Sequence, residues 1–318
     1  LHRVDRRQRQ MCIRDRNIMH YNSSFLYILI MTYHLSSLGI VRISGKDALP
    51  FLHSQLSNHI LELKTGEACY AAYTSVQGRV IANGIVICQL DNELLFIVKR
   101  NLIAHLLKIL NFYKVRRQIA LEDQSANYLI TVKMDKSAIT TPPFPFKFAT
   151  HKEGDSLVIP CPDGSTIQLL PPSNLSSINI DNDWQLFEIE QGISWIESAS
   201  SGKYVPQMLN LEHLGALHFK KGCYPGQEVI ARAQYRGVVR RRPALLIANQ
   251  QLDIASAVYA NKEVIGSIVA CAKQTDQHYA MLAVLKISAK NESLYADIEG
   301  MKQSLHCEKL FIYQGHLA

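Results

Sequence analysis

The sequence predicts an α+β chain that ends in a small β-barrel. From residue 36 to residue 134, β-rich runs and leucine-spaced helical runs follow the order strand, helix, meander, helix, strand, which is a split ferredoxin-like pattern. A proline-rich segment, TTPPFPF at 140–146, cannot continue a helix or a central strand and so marks a connection. Beyond Pro243 the texture changes to short apolar runs, which argue for a docked barrel or sandwich of roughly 75 residues.

Each element has a local reason. SSLGIVRISG reads as a strand running into Gly45. In KDALPFLHSQLSNHILELK, Asp47 is placed to cap a helix that tolerates Pro50 in its first turn, with Leu49, Leu52, Leu56 and Ile60 on one face. ACYAAYTSV, VIANGIVICQL and LLFIVKR form a meander with turns at Gln77-Gly78 and Asp91-Asn92. NLIAHLLKILNFY is a second amphipathic helix, and VRRQIAL and NYLITVKM read as strands. DSLVIPCPDGSTIQLL is a hairpin turning at Asp163-Gly164, and DWQLFEIEQG a short helix ended by Gly192. QEVIARAQY begins a helix just after Pro225-Gly226. ALLIAN, SAVYA, EVIGSIVACA, YAMLAVLK, SLYADI and KLFIY supply the strands of the last unit. The expected division is 1–30 as a doubtful or disordered extension, 31–139 and 140–242 as two α+β domains, and 243–318 as the barrel.

The 318 residues carry a net charge of +7, but that charge is local. Residues 1–16 contribute +4 and residues 220–242 contribute +6, leaving −3 on the remainder. Residues 1–16 look more like translated sequencing-adapter sequence than a gene product, so Met19 or Met31 is expected as the start. The second basic stretch is a patch, suited to a phosphate backbone or a carboxylate-rich ligand, or else to a solvated face. Hydrophobic content of 47% and charged content of 19% suit a soluble globular chain. The apolar run FLYILIM at 25–31 is far short of the about 20 residues a membrane span needs, so a cytoplasmic protein without a membrane partner is expected.

Seven cysteines lie far apart, with no C-x-x-C pair, so no locally encoded zinc or iron–sulfur site is expected. Phosphate-binding loop and dinucleotide fingerprints are absent, as is H-E-x-x-H, and His151 and His213 stand alone. Cys223 differs from the other cysteines in its neighbours. Lys220 and Lys221 precede it, Gly222, Pro225 and Gly226 shape a turn, and a helix start follows. Adjacent lysines and a helix N-terminus favour the thiolate, whereas a cysteine packed inward is inert, and spacing leaves both open. Arg232 and Arg236 share a helix face, with Arg240, Arg241 and Arg242 beyond. Trp184 and Trp195 are either core residues or the wall of a pocket for a flat heterocycle.

KGCYPGQE at 221–228, followed by VIARAQYRGVVRRR, resembles the YgfZ family of folate-binding, tRNA-modification and iron–sulfur-protein maintenance factors. That family is related in fold to the aminomethyltransferase (T-protein) of glycine cleavage. GIVRISGKDALPFLHSQLSNHI, SVQGRVIANGIV and KYVPQMLNLEHLGALHFKKGCYPGQE extend the resemblance from about residue 36 to the end. It implies a T-protein-like body of ferredoxin-like α+β halves around a central ligand hole, plus a C-terminal β-barrel. It also implies that Cys223 is a functional thiol with Lys221 and Glu228 beside it, and that Gly222, Tyr224, Gly226, Gln227, Arg232 and Arg236 complete the motif. Folate contacts fall at Trp184 and at Leu38, where family members can carry tryptophan, so an aromatic contact is missing here. The implied cofactor is tetrahydrofolate or a derivative. The implied partners are iron–sulfur proteins including tRNA-modifying enzymes, with direct tRNA binding expected to be weak. No conventional catalytic activity is implied. The rival is a folate-dependent aminomethyl- or methyltransferase, which needs a carboxylate where VKRNLIAH carries Lys99 and Arg100.

Overall fold

The structure is a computed structural model that describes residues 32–140, 142–172 and 177–313. The expected extension at 1–30 lies outside the described residues.

A six-stranded sheet of order β6-β2-β5-β4-β3-β8 forms the body. Its strands are β2 (Leu38–Ser44), β3 (Glu67–Thr74), β4 (Val80–Leu90), β5 (Glu93–Lys99), β6 (Ala120–Asp123) and β8 (Phe148–Ala149). The three central strands are buried along almost their full length rather than at alternate positions, because both faces are covered. Helix α1 (Ala48–Gln55) packs beside β5, and α2 (Ile103–Tyr113) packs against β2 and β6. On β4, Gly84 admits the neighbouring layer: a Cβ there would lie 1.9 Å from the Ile97 carbonyl and 3.1 Å from the Trp195 ring.

A four-stranded antiparallel sheet has the order β7-β11-β10-β9, with β7 (Leu129–Met134), β9 (His151–Glu153), β10 (Ser156–Pro160) and β11 (Ser165–Leu170). β7 precedes the expected connection at 140–146 and pairs with β11 beyond it. A short parallel pair joins β1 (Thr32–His34) to β12 (Ser177–Asn179) and leads into α3 (Asp181–Gln191). Helix α4 spans Gln227–Tyr235.

The C-terminal unit is a closed six-stranded barrel of order β13-β16-β15-β14-β17-β18. Its strands are β13 (Arg241–Ala248), β14 (Ala257–Ala260), β15 (Glu263–Lys273), β16 (Tyr279–Lys286), β17 (Leu294–Ile298) and β18 (Met301–Leu310). Phe311 docks the barrel on the body. It packs on Gly192, which ends α3 at φ +76°, where a Cβ would stand 2.5 Å from the phenyl ring. Its carbonyl accepts from Asn210 Nδ2 at 3.0 Å. The expected α+β body and C-terminal barrel are what the chain forms.

Three local expectations change. The first helix ends at Gln55 instead of running towards Lys64, because Leu56 bridges Tyr73 and the Ser57 N–H donates to the Ala72 carbonyl, which draws the backbone to β3. Asp47 makes no side-chain cap to that helix, and its Oδ2 accepts from the Gln118 N–H at 2.8 Å. The strand expected over VRRQIAL starts only at Ala120, after a turn in which Arg116 takes φ +61°. Among the described residues no helix is long and apolar enough to cross a membrane.

Candidate functional site

The loop before α4 is held from three sides. Gly226 has φ +79°, and a Cβ on it would lie 2.3 Å from the Ser75 carbonyl and 2.6 Å from the Gly78 Cα. Only glycine lets this loop close onto the turn between β3 and β4. Thr74 Oγ1 donates to the Pro225 carbonyl at 2.5 Å. Gln227 Oε1 accepts from the Tyr224 N–H at 3.2 Å, so the glutamine side chain closes the turn that precedes its own helix.

The third anchor is Lys221, which is 5% exposed. Its Nζ donates to the carbonyls of His53 and Leu56 at the C-terminus of α1, and it lies 4.8 Å from the centre of the Tyr224 ring. A lysine supplied from far along the chain thus satisfies carbonyls that a short helix leaves open. Burial pulls its pKa down to about 8, against the opposing pull of Cys69 and Cys223.

Between Lys221 and Tyr224, Gly222 and Cys223 are exposed. Cys69, Cys88 and Cys161 are buried and Cys271 and Cys307 half-buried, so among the described cysteines only Cys223 is open to a partner. Burial pushes the thiols of those five upward, which keeps them protonated and unreactive at neutral pH. Glu228 points into solvent and stands 3.5 Å from Arg232, an exposed pair that salt screens. Arg236 and Arg240 are exposed as well.

Arg242 departs from the reading of the arginine stretch as one patch. It turns inward, donating to the Gln207 carbonyl at 2.7 Å, to Asn210 Oδ1 at 2.8 Å and to the buried Glu212 carboxylate. Strand β13 starts at Arg241, and Arg241 and Arg242 are both half-buried whereas Arg240 just before the strand is exposed.

A second group gathers at the end of β5. Lys99 pairs with Leu38 across the sheet, and both are buried. The Lys99 ammonium lies 5.5 Å from the centre of the Trp184 ring and 3.5 Å from Glu197. Trp184 packs edge-on to Trp195 at 5.4 Å, and Trp195 Nε1 donates to Glu188 Oε1 at 2.6 Å. Burial raises the Glu188 carboxyl well above the usual carboxylate range, although Lys99 opposes this. Asp181 accepts from the Ser36 and Ser37 hydroxyls at 2.5 and 2.6 Å, which ties the start of β2 to the start of α3. The structure therefore brings Leu38 and Trp184 together around Lys99. Because β4 starts where β5 ends, this group and the Cys223 loop occupy the same end of the six-stranded sheet.

Trp184 is 1% exposed, and two donors of this region are left over. Trp184 Nε1 is buried with no partner, and so is Ser194 Oγ. Neighbouring space is tight: the cavity lined by Tyr70, Asn83, Gly84, Ser194 and Trp195 measures about 10 Å³. That is roughly one water molecule, so a ring enters only if the tryptophan pair and its neighbours separate.

Sequence reasoning missed a group of histidines. His53 lies in the last turn of α1, His59 follows the helix, and His218 comes from the segment before Lys221. Ring centres are 4.6 Å apart for His53–His59 and 5.2 Å for His59–His218. Only the H-x5-H spacing of the first pair was visible in the chain, and that spacing alone carries no signal. Among the described residues no three or more metal-type side chains stand in metal-holding geometry. Of the two histidines singled out, His151 is exposed beside Glu153 and His213 is buried beside Glu212.

No protein-family model matches the chain. The tRNA-modifying protein YgfZ of Photorhabdus laumondii is 29% identical over 223 residues, 65% of this chain and 68% of that protein. The tRNA-modifying proteins YgfZ of Shigella boydii and Escherichia coli are 23% identical over 313 residues, 91% of this chain and 94% of theirs. The resemblance to the YgfZ family thus spans nearly the whole chain. Among solved structures, glycine cleavage system aminomethyltransferase T from Bartonella henselae has a TM-score of 0.63 at 11% identity, over 88% of this chain and 87% of that one. At that identity the likeness is one of fold, and the fold is T-protein-like.

Proposed function

We propose that this protein binds a reduced folate and supports tRNA modification by maintaining iron–sulfur proteins, with Cys223 as the thiol it offers them. The observation that carries the reading is the pairing of exposure with rigidity at one cysteine. Cys223 is open to a macromolecule, while Lys221 and Gly226 on either side of it are fixed to the body. Similarity to proteins named tRNA-modifying along nearly the whole chain supports the pathway. Lys220, Arg232, Arg236 and Arg240 give the surrounding face a positive charge suited to an acidic partner surface.

A reduced folate supplies one-carbon or redox chemistry when bound. Trp184 would stack its pterin, with the free Nε1 donor and Ser194 Oγ available to its polar edge. The exposed arginines would take its glutamate tail. Titrating the protein with tetrahydrofolate while following tryptophan fluorescence is expected to give a saturable change that the Trp184→Phe variant loses. Saturation left intact by that variant would move the ligand elsewhere, and no saturable change at all would remove folate from the proposal.

Aminomethyl transfer is disfavoured. That chemistry needs a carboxylate free to act at the folate, but β5 ends in the buried Lys99, which engages Glu197 at 3.5 Å, and burial pushes the Glu188 carboxyl upward.

Replacing Cys223 with alanine is expected to abolish support of iron–sulfur-dependent tRNA thiolation in cells dependent on this protein. Thermal stability should be unchanged, because an exposed side chain is removed. Thiolated tRNA would be quantified by mass spectrometry, and full thiolation in the C223A strain would end the assigned role of the thiol.

A further inference from the structure

We propose that His53 and His218, with the His59 ring packed between them, form an acid-sensitive latch, which holds the Cys223 loop against α1 when the imidazoles of His53 and His218 are neutral and releases it when they are protonated. The latch is built into the loop's anchor. The His53 carbonyl accepts from Lys221, and the His53 ring lies against the exposed glycine beside the thiol: a Cβ on Gly222 would be 3.8 Å from His53 Nε2. The His218 N–H donates to the Ser57 carbonyl at 3.0 Å, and the Lys221 N–H reaches back to the His218 carbonyl at 3.4 Å. Both sides of the anchor thus carry an imidazole.

The hydrogen bonding explains why protonation would open it. The Nδ1 atoms of all three histidines are buried with no partner. A neutral ring tolerates this with an unused lone pair, whereas an imidazolium carries a donor on each nitrogen and would bury one without an acceptor. The charges facing the rings act the same way. Lys221 faces His53, and the other two rings stack behind it. Among the described residues, Glu62, 3.7 Å from His59, is the carboxylate that favours protonation of His218, and it is 61% exposed and so screened. Lys147, which lines a pocket together with His59 and His218, is already paired with Glu67 at 2.9 Å. Phe146 packs on the His218 ring at 4.9 Å and offers no acceptor.

Direction and range follow from the titration of the rings. Burial first, then Lys221 and the other two histidines, lower His53 from 6.5 to about 4, and burial and His59 lower His218 as well. A histidine whose pKa is depressed in the closed form stabilises that form above the open-form value, and this is lost as pH falls towards the closed-form value. The window therefore runs from about pH 6.5 down to about pH 4. Across it the open-to-closed ratio rises as pH falls, and because His53 is only part-buried, solvent screening keeps the rise below the roughly 300-fold that the full shift would give.

Hydrogen exchange of the full chain, corrected for intrinsic exchange at each pH, tests the latch. Between pH 7 and pH 4.5 the peptides covering 53–60 and 216–224 are expected to lose at least about tenfold in protection, while β3, β4 and β5 keep theirs. In the H53Q/H218Q variant, whose side chains do not titrate, that selective loss should disappear. The same loss in the variant, or a loss shared by the sheet, would overturn the proposal. So would no loss in the unsubstituted chain. Should the double variant fail to fold, imidazole carbon NMR of the unsubstituted chain decides. His53 and His218 must titrate below 6.5 in step with the exchange, and titration independent of it would also overturn the latch.

Discussion

Replacing Lys221 with methionine is expected to destabilise the protein by about 2 kcal/mol at neutral pH and to free the loop that carries Cys223. Two effects oppose each other. The ammonium makes two charge-assisted hydrogen bonds to α1 carbonyls, each contributing about 1.5–3 kcal/mol, and a contact over Tyr224 that adds about 0.5–2 kcal/mol. Against this, the fall of its pKa from 10.5 to about 8 corresponds to roughly 3 kcal/mol for burying the charge. Methionine keeps the apolar stem and removes both, so the net loss is smaller than the bonds alone suggest.

The pH dependence gives the sharper test. A lysine depressed in the folded state binds fewer protons there than in the unfolded chain between about pH 8 and pH 10.5. Stability of the unsubstituted protein therefore rises with pH across that window, and K221M lacks the rise. Urea denaturation of both proteins at pH 7.5 and pH 10 is expected to show their difference widening by up to about 3 kcal/mol. A constant difference would mean that Lys221 is not a buried cation. Because the anchor fixes the thiol's position, K221M is also expected to lower tRNA thiolation strongly even where the protein remains folded.

The second large effect concerns Arg242. Its replacement by methionine leaves Glu212, which is 2% exposed, without its guanidinium, and removes donors from the Gln207 and Asn210 oxygens. Breaking a buried pair from one side costs about 3–5 kcal/mol. Burial already raises the Glu212 carboxyl, and Arg242 is the group that opposes it. In R242M the carboxyl rises further, so the deficit should be largest at neutral pH and shrink as pH falls, when a proton takes the place of the guanidinium. Adding Glu212→Gln to R242M should recover part of the loss, and Arg240→Met should leave the denaturation midpoint unchanged. Equal effects of R242M and R240M would mean that the arginines form one solvated stretch after all.

Much of the fold was legible in the chain because its signals are local. The leucine spacing of residues 103–113, the turns at Gln77-Gly78 and Asp163-Gly164, and Gly192 after DWQLFEIEQ each depend on a few neighbouring residues. Errors arose where a distant partner overrode local preference. Asp47 had the chemistry of a helix cap but was taken by the Gln118 N–H, and the first helix ended early because β3 claimed its continuing backbone. The motif at 221–228 was identifiable as a unit, yet nothing in it says that Lys221 is buried while Lys220 is exposed.

By itself, then, the sequence determined the α+β body, the barrel, the turn that presents Cys223 and the helix that follows. All of these rest on backbone preferences and periodicities spanning ten or so residues. Tertiary structure alone decided which lysine caps α1, which arginine turns inward to Glu212, and that His218 meets His53 and His59. It also decided that Lys99 lies over Trp184 near a carboxyl, Glu188, that burial pushes upward. Charge state and exposure depend on desolvation and on groups brought close from remote positions, and neither has a local imprint in the chain.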